Sequence, residues 1–497
     1  MDERTTATAQ NVAGAAGAKR RLFAASANLS QAYAPCPEVA ESFTGRDVRV
    51  LLAVFALGGL ILAVTPAAAQ PNEGASWTLE KLVATALDRN FGLAAARTAT
   101  SAAKEDIVAA KGQRLPRLDA VGKAEYFPRR ERLLIFRHGF RGDDNPFEDA
   151  ILNYGLEVTL PLYTSGRIEH GISLAEARTE AVRARAKLTR VELIFNVASG
   201  YYTALRLRKV ITAQEAVLNS LNESQRIGKL QAEVGRIAPL DILRLNARVS
   251  QAERDLAGAR NAYARVLEVL KELINIPTKE SLDITGELFP APTEVPLDAL
   301  RDQALAQRPD LVSLRHEVQA KKAAVGLAEA QLGPRVDFRA GYRGVTGIDD
   351  GITKDDAGVF VDLRMPLYEG GVLRAQRRKA MIELREFQQR LRGAERRALA
   401  ELERAALDLA AAEPRIRAAR RAVDQAEESL RVEREKFGQG RGTSNDLLLA
   451  EEALLRSRTE LAAALADSQI AWAALNLAAG VDPVAVTAPS TSRKGGG

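Results

Sequence analysis

The sequence predicts a mixed α+β chain, mainly helical, in which one pattern of elements is written twice. Three observations carry that prediction. Segments repeat at a constant offset, four short stretches alternate apolar and polar residues, and apolar residues at helical spacing fill the long intervals between them. The chain has 497 residues, 46% hydrophobic and 27% charged, with a net charge of +6 that is small for this length. Its 36 glycines and 19 prolines are too few for a collagen-like or low-complexity chain. Basic residues are interspersed with acidic ones, which argues against a nucleic-acid footprint. Three histidines and one cysteine leave little for a metal cluster or a Cys/His catalytic centre, so no cofactor, no metal and no catalytic residues are expected.

The apolar run 50–64 follows Arg46 and Arg49 and ends in Thr65-Pro66-Ala67-Ala68-Ala69-Gln70. A positive flank, a short apolar stretch and small residues at −3 and −1 read as a secretory signal cleaved after Ala69. About 15 apolar residues fall short of the ~20 that a membrane-crossing helix needs. Residues 1–69 are therefore expected to be removed on export, taking Cys36 with them.

Leu79, Leu82, Ala86, Leu87, Leu93, Arg97, Gln113, Pro116 and Asp119 recur 218 positions later as Leu297, Leu300, Ala304, Leu305, Leu311, Arg315, Gln331, Pro334 and Asp337. Further on, Leu160-Pro161-Leu162-Tyr163-x-x-Gly166 matches Met365-Pro366-Leu367-Tyr368-x-x-Gly371 at offset 205, which holds through Gly235…Asp241 against Gly440…Asp446. Constant offsets mark an internal duplication, with a longer loop between Asp119 and Pro161 in the first half. The expected organisation is repeat 1 over 70–277, a linker over 278–296, repeat 2 over 297–482 and a disordered tail over 483–497.

Each repeat holds two stretches of period-2 alternation over about ten residues. Leu118, Ala120, Gly122, Ala124 and Tyr126 oppose Asp119, Lys123 and Glu125, and Tyr154, Leu156, Val158, Leu160 and Leu162 oppose Gly155, Glu157 and Thr159. In the second repeat Val336, Phe338, Ala340 and Tyr342 oppose Asp337, Arg339 and Arg343. Val359, Val361, Leu363, Met365 and Leu367 oppose Asp362 and Arg364. Strands of this length, apolar outward and charged inward, suit an outer-membrane barrel as well as the amphipathic sheet of a soluble domain.

The remainder reads as long helices. Residues 166–234 contain no proline and predict a single helix of roughly 100 Å. Leu245, Val249, Ala252, Leu256, Ala259, Tyr263, Val266, Leu270 and Leu273 step 4,3,4,3, a heptad seam, and Ala450 to Ala478 repeat it with smaller residues. Two shorter helices, over 92–114 and 240–275, are expected to pair end to end along the long one. Pro414 is expected to kink or break the second long helix. Four strands cannot close a barrel, and open edges are not tolerated in hydrocarbon, so membrane-crossing strands require several subunits. A charged inner face favours a water-filled bore and so at least three.

On these residues the chain resembles the TolC-like outer-membrane factor family over about residues 77–484. The resemblance rests on the strand-to-helix junctions Pro161…Gly166 and Pro366…Gly371, and on the turns 234–243 and 440–448, which resemble the family's Gly-x-x-[Ala/Ser/Thr]-x-x-Asp turn. It implies a homotrimer with a 12-stranded β-barrel and a coiled-coil helical tunnel. It also implies passive conduction for a tripartite efflux or type I secretion system, driven by an inner-membrane RND, ABC or other pump. The tip turns, with Gly235, Arg236, Ala238, Gly440, Arg441 and Thr443, would dock a periplasmic membrane-fusion adaptor. Asp119, Lys123, Glu125, Glu157, Asp337, Arg339, Arg343, Asp362 and Arg364 would line the barrel, and outer-membrane lipid would surround it.

Asp241 and Asp446 correspond to family positions near the constriction, where three copies of each form carboxylate rings. Both also sit where an acid caps a helix, Asp446 three residues after Thr443. Leu449, Gly442 and Phe437 stand where some members carry a second acid, an arginine and a gating tyrosine. The loop 128–153, with Arg129, Arg130, Arg132, Arg137 and Arg141, is either a lipopolysaccharide contact or a solvated loop. His138, His170 and His316 are too scattered for a metal site, and no phosphate-binding loop is present. The alternative function is a soluble periplasmic coiled-coil scaffold or adaptor.

Overall fold

The computed structural model describes residues 76–126, 150–235, 237–293, 295–347 and 353–484. The expected export signal, the arginines of the loop after β1, Arg236 and almost all of the C-terminal tail lie outside these residues. Twelve elements follow in the order α1 (Leu79–Arg89), α2 (Phe91–Gly112), β1 (Arg117–Tyr126), β2 (Ala150–Tyr163), α3 (Arg167–Glu233) and α4 (Pro239–Ile274). Then come α5 (Leu297–Gln307), α6 (Pro309–Ala330), β3 (Arg335–Gly347), β4 (Thr353–Arg364), α7 (Val372–Gly438) and α8 (Ser444–Ala479).

Corresponding helices of the two halves have equal lengths of 11, 22, 67 and 36 residues. Special backbone positions recur as well. Gly166 and Gly371 precede the long helices at φ +84° and +82°, and Gly235 and Gly440 turn the tips at +71° each. These left-handed angles put Cβ against the following carbonyl, so glycine is the residue that takes them freely. The Asn90 side chain caps α2 through Leu93 N (3.0 Å) and donates to Leu273 O (3.0 Å); Arg308, 218 positions on, donates to Ala478 O (3.4 Å). The same junction is thus tied by an amide in one half and a guanidinium in the other.

The four strands form one antiparallel sheet in the order β1-β2-β3-β4, leaving β1 and β4 as its edges. The helices follow the same lateral order. In the half nearer the sheet α2 lies on α3, α3 on α6 and α6 on α7; in the far half α4 lies on α3, α3 on α8 and α8 on α7. Each long helix is therefore paired by two short ones, as the lengths anticipate, and the two repeats interlock through α3. Thr179 Oγ donates to Ala103 O (2.7 Å) and Ser313 Oγ to Ala181 O (3.1 Å), so small hydroxyls fasten α3 to both of its short neighbours near the sheet.

There is no single core. Buried clusters are strung along the helices, the largest around Leu82, Val197, Leu205, Leu270 and Ile284. A second gathers Leu402, Leu409 and Leu475, and a third, at the tip, Leu245, Phe437 and Leu447. The linker between repeats is held against α3: Tyr201 Oη donates to Thr285 O (2.8 Å) and Arg208 to Ile284 O and Gly286 O.

Pro414 does not break the second long helix, as α7 runs through it from Val372 to Gly438, which corrects that half of the expectation. A proline inside a helix costs about 3 kcal/mol in a lost hydrogen bond and a displaced carbonyl. Here Leu409, Ala412, Ile416 and Ala419 form a buried stripe that holds both flanking turns in place. The second long helix accordingly matches the first in length, at 67 residues.

Candidate functional site

The sheet has two chemically distinct faces. Its register sets Asp119 opposite Glu157 and Glu157 opposite Gly341, and Arg339 opposite Thr159 and Phe360. Because neighbours across an antiparallel pair share a face, all nine expected barrel-lining residues fall on the same side. There Asp119, Lys123, Glu125, Glu157, Asp337, Arg339 and Asp362 join an ion-pair ladder. Arg117 meets Asp119 at 2.7 Å, Lys123 meets Glu125, and Arg335 meets Asp337 at 2.5 Å. Arg339 grips Asp362 with two bonds of 2.5 and 2.7 Å and reaches Glu157 at 3.6 Å. Asp337 and Asp362 stand directly opposite each other, a repulsive placement that Arg335 and Arg339 offset.

The other face is apolar and open. Leu118, Tyr126, Leu152, Tyr154, Leu156, Tyr342, Val359, Val361 and Leu363 are all exposed on it, Leu363 to 71%. Its acid, Asp355, accepts a hydrogen bond from Tyr342 Oη (2.7 Å). Aromatic residues mark two levels that the sequence reading did not single out. Tyr126, Tyr154 and Tyr342 lie toward the end away from the helices. Tyr163 lies at the helical end, where a bulge between Pro161 and Tyr163 sets it opposite Val336, on the apolar side. Tyr154 pairs with Gly344 and Tyr163 with Val336, eight ladder steps apart, about 26 Å along the strand at ~3.3 Å per residue, or roughly 20 Å along the membrane normal at a ~40° tilt. Membrane barrels carry an apolar band of ≈ 25 Å between aromatic girdles.

At the far end, both tip turns close helix termini. Thr443 Oγ accepts from Asp446 N (3.1 Å) and donates to Asp446 Oδ2 (2.7 Å), so the exposed Asp446 completes a cap on α8. In the first repeat the equivalent position is Ala238, with no side-chain acceptor, and Pro239 starts α4 instead. Asp241 accepts from Ser444 Oγ of the other hairpin (2.7 Å) and pairs with Arg244 (3.4 Å). Gly440 and Arg441 turn back onto Lys436 O and Phe437 O. Phe437 is buried at the centre of the tip cluster, and Gln231 Nε2 donates to its carbonyl (3.0 Å). A Cβ on Gly442 would stand 3.0 Å from Lys436 Cβ and Phe437 N. Leu240, Leu243, Val234 and Leu449 are exposed around it.

Two titrations follow from local contacts. Glu223 and Glu428, 205 positions apart, are both held below the usual glutamate value by hydrogen bonds from Arg226 and Arg431. Nearer the middle of α3, burial pushes the Tyr202 hydroxyl up to about 12, so it stays neutral against Tyr201 and Glu80.

A sequence profile for the family described as outer membrane efflux protein matches residues 82–275 and 300–481. The alkaline protease secretion protein AprF of Pseudomonas aeruginosa is 28% identical over 351 residues, 69% of this chain and 72% of its own. The outer membrane efflux protein BepC of Brucella suis is 26% identical over 326 residues, 62% of this chain and 69% of its own. Among solved structures, the outer membrane protein VceC of Vibrio cholerae superposes with a TM-score of 0.69 at 22% identity, covering 81% of this chain and 96% of that one.

Proposed function

The chain belongs to the outer membrane efflux protein family and is an outer-membrane channel subunit with a helical tunnel reaching into the periplasm; we propose that three copies close head to tail into one conduit. The two-faced sheet with unpaired edges carries this reading. Pairing β4 of one copy with β1 of the next gives twelve strands, a charged bore and an apolar outer wall for lipid. The helices support the same closure, since α2 and α4 border one side of the protomer and α7 the other. Leu270 packs on Gly200, and the offset of 205 brings Ala405 to that height on α7. There Leu407, 68% exposed, is level with the exposed Val269 and near Phe91, 73% exposed, on the opposite edge. Nearer the barrel, Val108 and Ile382 form a second such pair.

Conduction in this proposal is passive, and an inner-membrane pump supplies energy and selection through a periplasmic adaptor. Gly235, Arg236, Ala238, Gly440, Arg441 and Thr443, rimmed by the apolar Leu240, Leu243 and Leu449, form the docking end. Asp241 and Asp446 act as tip rings as well as helix ties. Cargo follows the partner pump: AprF is named for protease secretion and BepC for efflux, and a bore lined by paired charges distinguishes little between them. Extraction tests the reading against a soluble scaffold. The conduit requires detergent and migrates as an SDS-resistant trimer; release by osmotic shock as a monomer overturns it.

A further inference from the structure

Because the chain is duplicated, a helix contact made inside the protomer is a template for one that the protomer leaves open. Beside the sheet, the first turns of α3 lie on the last turns of α6. There the His170 ring sits against Gly326, where a Cβ would stand 2.6 Å from two of the ring atoms. A Cβ on Gly333 would collide with Ser165 Oγ, which donates to Pro334 O (2.7 Å). Side chains of the first repeat thus fill notches that glycines leave in the second.

The offsets of 205 and 218 carry His170 and Ser165 to Ala375 and Gly370, and Gly326 and Gly333 to Val108 and Leu115. The backbone is the same at both junctions, with Ser165 at φ +52° and Gly370 at +59°, but the sizes are exchanged. Now the small residues stand at the start of the long helix and the large ones at the end of the short one. All four are exposed, Val108 to 62% and Leu115 to 66%, on the two opposite edges of the protomer. Edges of inverse relief fit a second copy of this chain. We propose that in the seam between copies Val108 and Leu115 are the knobs, and Ala375 and Gly370 of the neighbouring copy the sockets, the inverse of the packing inside each copy. The inversion also decides which edge meets which. Since α2 and α6 are related by the duplication, a neighbour's α2 could otherwise take the place of the chain's own α6 on α3. His170 against Val108 would be overpacked, Ala375 against Gly326 would leave a void, and close-packed interfaces tolerate neither. The inference rests on the conduit reading above and adds to it the residues that set the pairing between copies.

The test follows heat dissociation of the SDS-resistant trimer of the full-length protein in detergent. Ala375→His puts a large residue on both sides of the seam, Val108→Gly empties one side, and the double variant copies the packing of His170 on Gly326. Ala375→His is expected to dissociate at a lower temperature than the wild type with unchanged helix content. Val108→Gly is expected to weaken the wild-type trimer yet strengthen the Ala375→His one, a reversal that independent sites do not show. Dissociation of Ala375→His at the wild-type temperature, or a double variant no more resistant than Ala375→His, overturns the seam and leaves the conduit reading standing. A wild-type chain that is monomeric before heating overturns the conduit reading, and the seam falls with it.

Discussion

In the proposed conduit Asp446 has two roles for one carboxylate, a cap and a ring charge. It closes the first turn of α8 through Thr443, and on the exposed tip it contributes a charge that three copies would repeat around a bore. Asp446→Asn separates them, because an amide oxygen still accepts from the Thr443 hydroxyl while the charge is gone. The expected outcome is an intact trimer with reduced cation preference in single-channel recordings; unchanged selectivity leaves only the cap. The cap was legible in the spacing Thr443-x-x-Asp446. The tie from Ser444 to Asp241 was not, since 203 positions separate them and nothing local in either turn points to the other.

At the level of elements, the duplication repeats stabilising pairs but not the proline. The exposed pairs Glu223–Arg226 and Glu428–Arg431 occupy equivalent turns of α3 and α7, and each holds its carboxyl below the ordinary 4.5. A lowered folded value means that their contribution is complete above about pH 4.5 and is lost as pH falls through the lower folded value. Acid titration followed by circular dichroism should therefore show the tip helices loosening only below about pH 4.5. The effect should be weaker in salt, since both pairs face solvent. Pro414 has no counterpart in α3, where Lys209 stands 205 positions earlier. Replacing it with alanine restores one ladder bond, so Pro414→Ala should raise stability by up to about 3 kcal/mol, read from the denaturant midpoint. Strands and long helices were legible because period 2 and period 3.6 are local. Continuity through Pro414 was not, because it depends on the residues packed against the flanking turns.

For the whole molecule, the protomer of the proposed conduit is one segment of a wall. Sheet and helices end on the same two sides, and large apolar side chains remain exposed at matching heights on both. Leu407→Asp puts a charge where the neighbour's Phe91 and Val269 would seat, and burying an unpaired carboxylate at an interface costs several kcal/mol. The variant is expected to lose the SDS-resistant trimer while keeping the helix content of the protomer. A trimer that survives the substitution would displace the contact from this height of α7.

The amino-acid sequence by itself determined the periodicities, and with them the order, length and doubling of the elements. It also determined which side of each strand is charged, because side chains alternate on a strand whatever lies beyond it. Tertiary structure decided what pairs with what: the bulge that returns Tyr163 to the apolar face, the burial of Phe437, and the meeting of Ser220, Arg434 and Glu451 on one oxygen. Those contacts join residues up to 231 positions apart, and their energies depend on packing and desolvation that exist only once the helices lie side by side.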